Sequence, residues 1–101
     1  MSPPTVYDIL AATAEWYDLG VRDLLKKDRR KPVALARQIA MYLACVLTEY
    51  SLPVIGRAIG GRAHTTILLG VRHIHELRDT DPELDAVVLG IECNLMLTGA
   101  V

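Results

Sequence analysis

From Val6 onward apolar residues recur every three or four positions. Val6, Ile9, Leu10, Thr13, Trp16 and Tyr17 fall on one stripe, the spacing of a helix with one buried face. Thr5 stands where it can cap this helix, with Asp8 three residues on, and Gly20 follows its end. "VRDLL" reads as a short helical turn. A second long stretch, "VALARQIAMYLACVLTEY", is rich in strong helix formers. Its apolar side runs through Leu35 or Ala36, Ile39, Leu43, Val46, Leu47 and Tyr50, which leaves Arg37, Gln38 and Met41 toward the other side. Pro32 suits the first turn of this helix. Ser51 is placed to cap a short helix, "LPVIGRAIG", whose Leu52, Ile55 and Ile59 face inward. Gly60-Gly61 breaks it. A longer helix then runs from about Ala63 to Arg78, with Ile67, Val71, Ile74 and Leu77 inward. After the turn "DTDPELD", Asp81 is placed to cap a last helix from Pro82 to Leu97. No apolar alternation of period two has a partner. The pattern predicts an all-α chain, with residues 1–4 a short tail and residues 5–101 a single helical domain.

Composition narrows this further. A chain of 101 residues can bury a modest core without metal or disulfides. Phenylalanine is absent, so valine, leucine, isoleucine and alanine fill that core. No apolar run approaches the roughly 20 residues of a membrane span, and the start lacks a signal-peptide pattern. The expected location is the cytoplasm, with no membrane partner. Cys45 and Cys93 have no CxxC or metal-type spacing, and two free, buried thiols are expected.

The net charge of −1 conceals a segregation. All eleven bases lie between Arg22 and Arg78 with only four acids, a balance of +7, while the flanks carry eight acids and no base. Such a basic centre suggests a face that meets an anion. "KKDRRK" puts five bases in six residues just before Pro32, too polar for a core.

The short helix, the Gly-Gly break and the following helix have the layout of a helix-turn-helix. In that unit the second helix enters the DNA major groove with its first residues at the base edges. Here these are His64, Thr65 and Thr66, small and polar, preceded by Arg62. Hydroxyls and imidazole can bond phosphate or base, a threonine methyl can touch thymine, and arginine can fork onto guanine or phosphate. The exposed loop can track phosphates or insert an arginine into the minor groove, and Arg37-Gln38 add donors. Other chemistry lacks support. His73 and His75 point to different sides of a helix, so they do not share a metal. The acidic run Asp79, Asp81, Glu83 and Asp85 lacks the glycine and distal glutamate of a calcium loop. No nucleophile has a base in context, so neither catalysis nor a cofactor is expected.

The run "RRKPVALARQIAMYLACVLTEYSLPVIGRAIGGRAHTTILLGV" closely resembles the C-terminal DNA-binding domain of the bacterial replication initiator DnaA. The core of the likeness is "ARQIAMYL", "LT", "SLPVIGRAIGGR" and "HTT" in family order. The resemblance implies a Trp-repressor-like helix-turn-helix bundle of about five to six helices. It implies binding to a nine-base-pair box in double-stranded DNA as part of origin recognition, and hence association with the nucleoid. Carried over by position, Arg29 would reach into the minor groove. Arg37 and Gln38 would hold phosphates, with Lys27 and Lys31 as phosphate neighbours. Arg62, Ala63, His64, Thr65 and Thr66 would stand at or near the major-groove base edges.

The departures shape the expectation. The family places an aspartate where this chain has Ala63, losing an acceptor for cytosine N4 that is worth about 1–3 kcal/mol of discrimination. Alanine can instead pack on a thymine methyl. Leu69 replaces a histidine, and Gly70 replaces an alanine at about 1 kcal/mol of helix propensity. Asp28 interrupts the basic loop, and Cys45 stands where lysine is common. There is no GxxxxGK[ST] phosphate loop. Ala63, Asp28 and Cys45 raise the alternative of an interaction protein with weakened or altered DNA specificity. The apolar last helix, "ELDAVVLGIECNLML", either closes the core as a fully buried helix or keeps one side exposed; an exposed side would hold a partner, and a homodimer through it would suit paired boxes.

Overall fold

The computed structural model describes residues 3–99, and six helices account for most of them. They are α1 (Val6–Trp16), α2 (Val21–Leu25), α3 (Lys31–Leu47), α4 (Leu52–Ala58), α5 (His64–Thr80) and α6 (Pro82–Gly99). No strand occurs among the described residues, and the chain is all-α as its periodicity predicts. Helix α3 runs through the centre. It packs most extensively on α5 and next on α1, while α6 closes the other side against α1 and α5.

The local signals explain the boundaries. At the start of α1 the Thr5 hydroxyl accepts from the Asp8 amide at 3.1 Å, and the Asp8 carboxylate accepts from the Thr5 amide at 2.9 Å. This reciprocal box satisfies two otherwise orphaned donors. Pro32 occupies the first turn of α3. Asp81 caps α6, its carboxylate accepting from the Glu83 and Leu84 amides at 3.1 and 3.2 Å. Ser51 holds the cap position of α4, but its side chain makes no capping bond. The stop of α1 differs from expectation. Asp18, not Gly20, takes the left-handed position, with φ 55°. The Leu19 amide returns to the Ala14 carbonyl at 2.8 Å and Asp18 to Glu15 at 3.1 Å, the bonding of a Schellman turn. Aspartate tolerates that conformation better than most residues. Gly20 instead precedes α2, donating to the Asp23 carboxylate at 2.9 Å.

The core is aliphatic. Ile9, Leu24, Ile39, Leu43, Ile55, Ile59, Ile67, Ile74, Val88 and Ile91 are fully buried, and Ala36, Ala40 and Ala44 on α3 let its neighbours approach closely. Thr13 belongs to the buried stripe because its hydroxyl donates to the Ile9 carbonyl at 2.7 Å. The expected sides of α3 need correction. Val46 and Tyr50 are exposed, α3 ends at Leu47, and Arg37 and Met41 are buried. Helix α3 is central and covered on more than one side, so a single apolar stripe underestimates its buried surface. Trp16 is partly exposed, with its indole lying over Gly90 of α6.

Arg78 joins three helices. Its guanidinium donates to Asp85 at 2.6 Å, to the Tyr42 hydroxyl at 3.2 Å and to Glu92 at 3.3 Å, and it lies 5.6 Å from the Tyr42 ring centroid. Both cysteines are free, but only Cys45 is partly covered and Cys93 is exposed, contrary to the expectation of two buried thiols. On α6, Leu84, Val88, Ile91 and Leu95 enter the core, whereas Leu89, Met96 and Leu97 face solvent.

Candidate nucleic-acid interface

The turn between α4 and α5 is built by three glycines with different tasks. The Arg62 amide donates to the Gly56 carbonyl at 2.8 Å, and a Cβ at Gly56 would run into the Arg62 carbonyl. Gly60 and Gly61 both take positive φ, 76° and 73°, a region where side chains are strained. At Gly60 a side chain would also collide with the Leu25 carbonyl and the Arg62 guanidinium. Ile59 between these glycines is fully buried and anchors the turn.

Beyond the turn, α5 starts without a side-chain cap. Ala63 is the cap residue, where sequence periodicity places the first helical position. Its carbonyl accepts from the Thr66 and Ile67 amides at 3.0 and 3.2 Å. The His64 and Thr65 amides have no acceptor among the described residues. Ala63, His64, Thr65 and Thr66 are all exposed. The helix therefore offers free amide donors, a partial positive charge and small polar side chains at one end, a combination suited to an anion.

Residues 26–30 form the basic loop, and arginines from elsewhere hold it. The Arg37 side chain is buried. Its Nε donates to the Leu24 carbonyl at 2.7 Å, and its Nη2 to the Lys26 and Asp28 carbonyls at 2.8 and 2.9 Å. Half-buried Arg62 donates through Nη1 to Ile59 at 2.7 Å and Leu25 at 3.4 Å, and through Nη2 to Lys26 at 2.7 Å. Burial lowers both guanidinium pKa values, and the Arg37 charge lowers that of Arg62 further. The sequence suggests phosphate and base contacts for these two residues; their positions here turn most of their donors onto the chain itself. Arg37 lies one turn from Val33 and Ala40 on the buried face, a placement among small and aliphatic residues that could have signalled burial.

Asp28 shapes the same loop from within. Its carboxylate accepts from the Arg30 amide at 2.9 Å and from the Arg30 guanidinium at 2.6 to 3.1 Å. Those hydrogen bonds hold its pKa down at about 2. Arg30 is thus compensated. Lys26, Lys27, Arg29 and Lys31 are exposed, and their side chains make no hydrogen bond or ion pair among the described residues.

A shallow groove of about 390 Å³ lies between α3 and α5, lined by Ala34, Arg37, Gln38, Met41, Arg62, Thr66, Leu69, Gly70 and His73. Gly70 has a packing role that its sequence position alone does not disclose. A Cβ there would stand 2.7 Å from Met41 Sδ and 3.5 Å from Gln38 Cγ, so its absence allows the two helices to close. Gln38 is half-buried at this groove. Among the described residues no cluster of His, Cys, Asp or Glu is arranged to hold a metal, and no helix is long and apolar enough to cross a membrane.

Comparison with known proteins agrees with this geometry. Residues 6–74 match the family described as bacterial dnaA protein helix-turn-helix. The chain is 49% identical over 80 residues to the chromosomal replication initiator protein DnaA of Cereibacter sphaeroides, covering 79% of this chain and 18% of that protein. It is 52% identical over 80 residues to the protein of the same name from Caulobacter vibrioides, covering 79% of this chain and 16% of the relative. The chain thus spans less than a fifth of the length of these relatives.

Proposed function

The chain belongs to the bacterial DnaA helix-turn-helix family, and on that premise we propose that it binds specific sequences in double-stranded DNA and takes part in origin recognition or the control of replication initiation. One observation carries the reading: Arg62 Nη2 bonds the Lys26 carbonyl at 2.7 Å, which ties the basic loop to the turn that leads into α5. Two elements that would grip DNA are thereby held side by side. Helix α5 enters the major groove with His64, Thr65 and Thr66 at the base edges and its free amides at a phosphate. Arg29 reaches into the neighbouring minor groove, and Lys27, Lys31 and Gln38 meet phosphates. Arg37 and Arg62 act first by fixing the loop, and both also line the α3–α5 groove. The target is a relative of the family's nine-base-pair box. It is shifted at the base facing Ala63, which cannot accept a hydrogen bond from cytosine. Such a protein works at the nucleoid.

Selection from a random-sequence duplex library tests this proposal. The expected product is a single motif resembling the family box and altered at one position. Recovery of no motif would refute specific recognition. A second reading rests on exposed Leu89, Met96 and Leu97 of α6. They would join two copies on paired boxes, or hold a protein partner if DNA specificity has been lost. Sedimentation of the isolated protein, together with its DNA affinity, tests this reading, since a monomer that binds DNA tightly excludes both cases.

A further inference from the structure

Leu69 is 65% exposed. A lone exposed leucine is ordinary; its neighbours make this one informative. It stands four residues after Thr65 and three after Thr66, so the three share one face of α5. It also lines the α3–α5 groove with Arg62, Thr66 and His73. It is the sixth residue of α5, one turn beyond the exposed polar end. A helix that enters the major groove by its N-terminus still faces the base edges there.

A leucine side chain has no donor or acceptor and cannot read the hydrogen-bond pattern of the groove. The one apolar feature that a base presents there is the thymine C5-methyl. Desolvating an exposed leucine against phosphate or a polar base edge would bring no compensating bond. We infer that Leu69 is a specificity-determining residue that packs on a thymine methyl; the inference rests on the proposed DNA binding. It adds an apolar contact next to the polar reading by His64, Thr65 and Thr66. It also gives the protein a thymine preference that its threonines alone do not account for.

The test uses the duplex recovered by library selection, with each thymine replaced singly by deoxyuridine, which lacks only the methyl. The wild-type protein should lose about fourfold in affinity at one thymine, equivalent to about 0.8 kcal/mol for one buried methyl-sized group. Leu69→Ala should bind the unmodified duplex more weakly and be indifferent to that replacement. Leu69→Gln, of similar length, should show the same indifference. Unchanged melting of both variants confirms that the site and not the fold was altered. If the wild-type protein tolerates every replacement, or if both variants keep the wild-type loss, the inference is wrong. If no duplex is bound at all, the DNA-binding proposal falls and this inference with it.

Discussion

Arg37 and Arg62 donate to the same backbone carbonyl, that of Lys26, at 2.8 and 2.7 Å. A carbonyl has two lone pairs and can serve both. Two like charges would not converge without return. Here the return is a basic loop fixed from two sides, by the central helix and by the turn that leads into α5. Arg37 also satisfies the Leu24 and Asp28 carbonyls. Arg37→Ala should therefore destabilise the fold by about 2–3 kcal/mol, because it removes charge-assisted bonds and leaves the Leu24 carbonyl unpaired. In a chain of this size that lowers the melting temperature by roughly 10–20 °C. Calorimetry measures it, and a change of only a degree or two would contradict the clamp.

Ala63 gives a prediction of opposite sign. It holds the cap position of α5 without a capping side chain. Ala63→Asp should supply an acceptor for the first-turn amides and stabilise the protein by about 1 kcal/mol. Urea unfolding should show a higher midpoint with an unchanged slope. The same variant should move base preference toward cytosine in library selection. A lower midpoint would mean that the helix start is not arranged as described.

The glycines of the turn should rank by what surrounds them. Gly61→Ala meets no neighbour and bears only the positive φ, at about 1 kcal/mol. Gly56→Ala meets the Arg62 carbonyl and strains the bond that closes the turn, at about 2–3 kcal/mol. Equal losses in denaturant titration would contradict this order.

Asp28 makes stability depend on acid. Its carboxyl titrates at about 2 in the folded chain, below the usual value of 3.8, because Arg30 bonds its ionised form. A depressed folded pKa means that the contribution is present above the unfolded pKa and is lost as pH falls through the folded one. The stability difference between wild type and Asp28→Asn should stay constant from neutral pH to about 4 and close between about 4 and 2. Urea unfolding across this range measures it, and a difference that grew toward low pH would contradict the assignment.

Much of this was legible in the sequence because local rules governed it. The Thr5–Asp8 box, Pro32 in a first turn, the Gly60-Gly61 break and the Asp81 cap each depend on neighbouring residues, and each appears in place. Features that depend on distant partners were hidden. Arg37 looks solvent-facing beside Gln38, yet its acceptors lie 9 to 13 residues away. Gly70 looks like a weak helix position until Met41 is brought against it. Asp28 looks like a loss of positive charge, whereas it folds the loop around Arg30 and leaves Arg29 outward. The polar residues at the start of α5 could be named from the chain, but the clamp that sets the loop beside them could not.

The central claim is that the basic loop and the start of α5 together grip duplex DNA, and the dependence of affinity on salt tests it most directly. Each phosphate neutralised by a lysine or arginine releases counterions and adds about −0.9 to the slope of log affinity against log salt. With Lys26, Lys27 and Lys31 outward and uncompensated, the slope for the selected duplex should be about −3 or steeper. Lys27→Ala should reduce its magnitude by about 1, and Arg29→Ala should weaken binding strongly. A slope near zero, unchanged by Lys27→Ala, would contradict the account.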